Sequence, residues 1–174
     1  MDASRVETPL LIAFADLTRF TVNSACTPDA ALAELMDGWY ERVGARVVPA
    51  GGRVVKFIGD ATLAVFPLER ADDAVEALQQ MRRDAATYFA SHGWRDSRLV
   101  VKLHAGTVIA GPFGVAQDKR FDVIGTEVNV TARLVSNGFA MSPEAFRKLS
   151  PEARKAYKRH TPPQTYIPSG DERP

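Results

Sequence analysis

With a single cysteine, Cys26, among 174 residues, the chain can form no internal disulfide and no multi-cysteine metal site. A free structural thiol in a reducing compartment is the expectation. Histidine is scarce too: His92 and His104 belong to no cluster with metal-ligand spacing, which leaves them structural roles. No apolar run approaches the length of a membrane span, and the opening residues MDASRVETP lack a basic then apolar signal pattern. We therefore expect a cytoplasmic, soluble protein with no membrane partner. The 22 basic and 21 acidic residues are spread along the chain and give a net charge of +1, so no basic tract points to nucleic acid. Any anionic ligand must be met locally. Internal repeats and low-complexity blocks are also missing. What remains is a chain of single-domain length whose apolar content, 45%, is enough for a real core.

The most informative stretch is Val54 to Phe66, VVKFIGDATLAVF. Two apolar runs flank Gly59-Asp60, a hairpin signal that puts a carboxylate at the tip. Lys56 sits inside the first run, where a charge is unfavourable unless something uses it.

Around this hairpin the chain reads in order. Pro9 to Asp16 (PLLIAFAD) is a buried first strand that opens into the turn Leu17-Thr18-Arg19. Thr27-Pro28-Asp29 starts a helix, with Thr27 as cap, and Leu32, Leu35, Met36, Trp39 and Val43 form its core stripe. A second helix, Asp72 to Phe89, repeats Ala74, Val75, Leu78, Met81 and Ala85 on one face and closes at Gly93. Leu99, Val101 and Leu103 then alternate with Val100, Lys102 and His104 in a fourth strand running to Val108, followed by a glycine-containing loop, Gly111 to Gly114. A short strand over Arg120 to Ile124, a helix over Glu127 to Val135 and an edge strand over Phe139 to Met141 come next. Ser142-Pro143-Glu144 and Ser150-Pro151-Glu152 each read as cap, proline and first-turn acid, marking two short helices. Residues 159–174 form a polar, proline-containing tail expected to be loosely ordered, after a short lead of residues 1–8.

The main elements run strand, helix, strand, strand, helix, strand, the ferredoxin-like βαββαβ order of an α+β fold with a C-terminal extension. A right-handed crossover makes the first two strands parallel, so Asp16 and Asp60 should be neighbours at one sheet edge. Two such aspartates, with the backbone amides of Phe20 and Thr21 in the intervening loop, suit hard divalent cations, magnesium or manganese, and a polyphosphate. Two metals there could serve an in-line displacement at phosphorus. Taken singly, each aspartate also fits an ordinary strand end or turn. By simple alternation Lys56 shares a face with Val54 and Ile58, opposite Val55 and Phe57. Since both helices cover one face, that lysine can point to the helix-free side and read a base or phosphate, or be merely solvated. Asn129 and Arg133, four apart, share a helix face from which an arginine could stabilise charge on a phosphoryl group, or stand as surface residues.

Together VVKFIGDATLAVF, LIAFADLTRFT (Leu11 to Thr21), LHAGTVIAGPFG (Leu103 to Gly114) and RFDVIGTEVNVTARL (Arg120 to Leu134) resemble the catalytic domain of the class III adenylate and guanylate cyclases. The resemblance covers about Leu10 to Ser142 and implies a catalytic domain over residues 9–158. It implies that Asp16 and Asp60 bind two Mg²⁺ or Mn²⁺ ions per site, that Lys56 and Asp122 read adenine, that Asn129 orients the ribose, and that Arg133 stabilises the transition state. Guanylate cyclases of this family usually carry Glu where Lys56 stands, so the substrate it implies is ATP. Family members are head-to-tail dimers, which implies a homodimer whose sites join Asp16 and Asp60 of one copy to Lys56, Asp122, Asn129 and Arg133 of the other.

The chain departs from the family pattern at three places. Thr126 replaces a common aspartate, the segment between Arg133 and Ser142 is a few residues short, and so is Gly111 to Arg120, where relatives carry a dimerisation arm. A shortened helix frays readily, and a transition-state arginine displaced by about 1 Å can lose about a hundredfold in rate. Adenylate cyclase therefore stands beside an alternative, a cyclase-homology module that binds nucleotide or dimerises without turnover, and a third reading as a guanylate cyclase.

Overall fold

The computed structural model describes residues 4–161 and 164–171. The first strand, β1 (Val6–Leu17), lies at the centre of the sheet because its run of Leu, Ile, Ala and Phe has apolar partners on both faces. A short helix, α1 (Phe20–Ala25), follows, then α2 (Asp29–Val47), the hairpin strands β2 (Arg53–Ile58) and β3 (Ala61–Pro67), α3 (Ala71–Ser91) and the long β4 (Leu99–Val115). In the sheet these strands stand in the order β2-β3-β1-β4, with β3 and β4 antiparallel to β1. This is the βαββαβ arrangement expected from the sequence, and it makes β1 and β2 parallel. The remaining elements are β5 (Asp118–Ile124), α4 (Thr126–Arg133), β6 (Phe139–Met141), α5 (Pro143–Phe146), α6 (Pro151–Arg154), β7 (Tyr157–His160) and β8 (Thr165–Pro168).

Helices α2 and α3 cover one face. Leu11, Ala13, Ala15 and Leu17 of β1 meet Trp39, Val43, Leu78, Met81 and Phe89 there, with Trp39 packed 5.2 Å from the Phe89 ring. The opposite face carries a smaller core of Leu10, Ile12, Leu63, Val65, Val108 and Val123, closed by residues of β5 and α4. The face expected to be left open is thus partly covered by the chain itself.

Four other expectations are corrected. The segment Gly111 to Gly114 is not a loop but the end of β4, paired with β5 from Asp118 onward. A Cβ at Gly111 would stand 2.9 Å from the Arg5 Cα, so this glycine permits close backbone approach rather than a turn. The tail is not loose over its described part: β7 and β8 form a hairpin, β8 pairs with β6, and Thr165 and Ile167 are buried, while residues 162–163 and 172–174 lie outside the described residues. Phe20 and Thr21, expected in a loop, open α1, which the sequence reading did not foresee. Thr27 does not cap α2 through its side chain; its hydroxyl donates to the Asn23 carbonyl instead.

Candidate active site

Asp60 follows Gly59 at the β2–β3 turn, where Gly59 takes φ 60° as the first central residue of a two-residue hairpin turn requires. The turn is braced from α2, whose Tyr40 hydroxyl donates to the Gly59 carbonyl (2.6 Å) while the ring stacks on Phe57 at 3.9 Å. Asp16 stands one residue before the end of β1, beside this tip. The Leu17 N–H donates to Asp60 Oδ2 (3.1 Å), which holds the Asp60 carboxyl against the end of β1. Burial, followed by the neighbouring Asp16 carboxylate, pushes the Asp60 carboxyl up to about 6. Two carboxylates that crowd each other and face few donors suit a hard cation, and magnesium needs only one or two carboxylates when phosphates and water complete its shell. Among the described residues no group of three or more His, Cys, Asp or Glu stands together as a protein-only metal cage.

After β1, Arg19 adopts a left-handed conformation (φ 62°) and turns the chain into α1. The Thr18 N–H donates to the Arg98 carbonyl and the Arg98 N–H to Thr18 Oγ1, which fixes this corner. Phe20 and Thr21 then supply first-turn amides, which no carbonyl inside the helix can accept.

Lys56 departs from simple alternation. The β2–β3 register steps from Val54↔Ala64 to Lys56↔Leu63, so Val55 is the extra residue of a bulge. Val54 consequently packs with the helix-side core, and Val55 turns to the other side. Lys56, paired with Leu63 of the helix-free core, shares that side with Val55 and not with Val54. There the β4–β5 arm curls back over the sheet and brings Asp122 to it, with Lys56 Nζ 2.5 Å from Asp122 Oδ2. Nearby, the Arg53 guanidinium lies over the Phe121 ring, 3.7 Å from its centroid. The two residues expected to read a base are therefore together in one chain.

Asn129 and Arg133 are exposed on α4, an eight-residue helix whose Thr131 alone is buried. His104 is 4% exposed and fully partnered, with Nε2 2.6 Å from Glu127 Oε2 and Nδ1 2.8 Å from Ser142 Oγ. Tyr40, Lys102 and Glu127 had no place among the sequence candidates. Tyr40 lies beside the core stripe of its helix, and Lys102 and His104 share the strand face opposite Val101 and Leu103, which was the available signal.

The sheet thus sets a carboxylate pair at one edge and a cation–carboxylate pair on its helix-free face. The chain belongs to the adenylate and guanylate cyclase catalytic domain family, whose model matches residues 4–160. It is 28% identical over 151 residues to adenylate cyclase 2 of Rhizobium meliloti, a match covering 79% of this chain and 41% of that protein. The chain thus spans less than half the length of that curated relative. Among solved structures, the adenylyl cyclase CyaB from P. aeruginosa superposes with a TM-score of 0.81 at 20% identity, covering 99% of this chain and 98% of that one. The guanylate cyclase domain of RhGC from Catenaria anguillulae in complex with GTP superposes with a TM-score of 0.79 at 22% identity, covering 94% and 96%. The fold is that of the class III cyclase domains. No helix among the described residues is long and apolar enough to cross a membrane.

Proposed function

We propose that this domain is an adenylate cyclase, converting ATP to 3′,5′-cyclic AMP and pyrophosphate at a site shared by two copies of the chain. The observation that carries the reading is the Lys56–Asp122 pair, an adjacent donor and acceptor in front of the helix-free face. Lysine can donate to a ring nitrogen of adenine while aspartate accepts from its amino group. Asp16 and Asp60 would hold two Mg²⁺ or Mn²⁺ ions, which supply charge neutralisation on the polyphosphate and activation of the ribose 3′-hydroxyl. The first-turn amides of Phe20 and Thr21 receive phosphate oxygens. Asn129 orients the ribose so that its 3′-oxygen faces the α-phosphorus. As the new O–P bond forms and the bond to the β-phosphate breaks, Arg133 places its fixed charge against the oxygens that gain negative charge.

The test is incubation of the purified chain with ATP or GTP and Mg²⁺ or Mn²⁺, with the cyclic product measured. Cyclic AMP in excess over cyclic GMP is the expected result. The brevity of α4 favours a second reading, a module that binds nucleotide without turnover, whose signature is bound ATP and no cyclic product at high protein concentration. A preference for GTP would instead assign a guanylate cyclase.

A further inference from the structure

Helix α4 carries both Asn129 and Arg133, and its own packing on the sheet comes chiefly from Val128 and the buried Thr131. It is eight residues long, it has no side-chain cap at Gly125, and an isolated helix of this length is unstable in water. After Arg133 the chain leaves at once, with Leu134 in an extended conformation (ψ 135°); the Leu134 N–H closes on the Thr131 carbonyl and no further turn follows. Polar contacts from the sheet add to this seat at both ends of the helix.

Two side chains of β4 do this from below. Lys102 and His104 lie opposite Phe14 and Ile12 of β1, on the helix-free side. At the amino end of α4, His104 Nε2 hydrogen-bonds Glu127 Oε2 in the first turn, and Nδ1 hydrogen-bonds Ser142 Oγ. The same Ser142 oxygen accepts the Ala145 N–H at the start of α5, and both ring nitrogens of the buried His104 have partners. At the carboxyl end, Lys102 Nζ donates to the Ala132 carbonyl at 2.8 Å, where a cation also complements the helix dipole. The spans match: residues 102 and 104 of a strand are about 6.6 Å apart, and residues 127 and 132 of a helix about 7.5 Å along its axis. Close approach is built in at Gly106, where a Cβ would stand 2.5 Å from Glu127 Cγ.

We propose that Lys102 and His104 clamp α4 at its two ends and are the positioning residues for Asn129 and Arg133. The inference rests on the cyclase reading for its catalytic consequence and on geometry alone for the clamp. The clamp takes over the support that a longer segment after Arg133 would give.

The experiment uses the full chain with Lys102→Met, Lys102→Arg and Glu127→Ala, since a change at buried His104 itself could disturb folding. Amide hydrogen exchange across residues 128–134 is measured beside the melting temperature and steady-state kinetics with ATP. Lys102→Met and Glu127→Ala should each speed α4 exchange about tenfold with the global melt little moved, and Lys102→Arg should retain protection. Values of kcat should fall about tenfold in the two disruptive variants with KM for ATP within about twofold, and recover in Lys102→Arg. Exchange within about twofold of wild type in both disruptive variants overturns the clamp. Faster exchange with unchanged kcat overturns its positioning role. If the wild-type chain makes no cyclic nucleotide, it is the cyclase reading that falls, and the exchange data still decide the clamp.

Discussion

The two faces of the sheet are built for different ends. Under α2 and α3 the packing is deep and almost wholly apolar, with Trp39, Phe66 and Phe89 fully enclosed. On the other side a core of six buried residues suffices, and around it stand Asp16, Asp60, Lys56, Asp122, Asn129 and Arg133. One face supplies stability; the other presents charge at modest stability and is held by particular contacts, the Tyr40 brace, the β2 bulge and the α4 clamp. Substitutions should therefore sort by face. Changes on the helix side unfold the protein, and changes on the other side disable it while it stays folded.

The largest effect should come from Asp60→Ala, which we expect to lower cyclisation at least about a thousandfold, roughly 4 kcal/mol of barrier, with the far-ultraviolet circular dichroism unchanged. Phe89→Ala is its counterpart on the other face and should destabilise by about 3–5 kcal/mol in urea melts, since Phe89 is completely buried. Equal losses of stability in both variants would erase the distinction between the faces.

A finer separation uses pH. Because the folded pKa of Asp60 is raised to about 6, the folded state binds this proton more tightly than the unfolded chain. The associated stability is fully present below about pH 4 and is lost as pH rises through about 6. Asp60→Asn mimics the protonated form and keeps an oxygen for the Leu17 N–H. In metal-free buffer at pH 7.5 it should melt roughly 3 °C above wild type, the gap closing by about pH 4 in a thermal-shift titration. A gap independent of pH would show that neither burial nor the Asp16 carboxylate raises the Asp60 carboxyl. The smallest effect is expected from Tyr40→Phe, which removes one hydroxyl bridging the faces. It should cost about 1 kcal/mol in equilibrium unfolding and lower activity only a few-fold.

Much of this was legible in the sequence because it depends on periodicity and connection rules. The apolar run at Leu10–Ala15, the Gly59-Asp60 turn and the order of helices and strands suffice to bring Asp16 beside Asp60. The bulge at Val55 was not legible: an extra residue in a Val-Val pair leaves no mark in composition, and its effect on Val54 is seen only when Ala64 and Leu63 are paired across the hairpin. Gly111 and Gly114 read as a loop because glycine usually punctuates strands, whereas Gly111 admits the backbone of Arg5. The β7–β8 hairpin was hidden by its polar composition, although Thr165-Tyr166-Ile167 is a β-branched and aromatic run of strand type. At the site, the Lys56–Asp122 pairing and the clamp under α4 join segments distant in the chain, and only the curl of the β4–β5 arm and the seat of α4 reveal them.

The proposed shared site draws Asp16 and Asp60 from one copy and Lys56, Asp122, Asn129 and Arg133 from the other. Purified Asp60→Ala and Arg133→Ala chains, each inactive alone, can be mixed, equilibrated and assayed for cyclic AMP. Random pairing should leave about a quarter of all sites intact, so the mixture should recover about a quarter of wild-type activity. A mixture that stays as inactive as its parents, while an equal dilution of wild type remains active, would contradict the shared site.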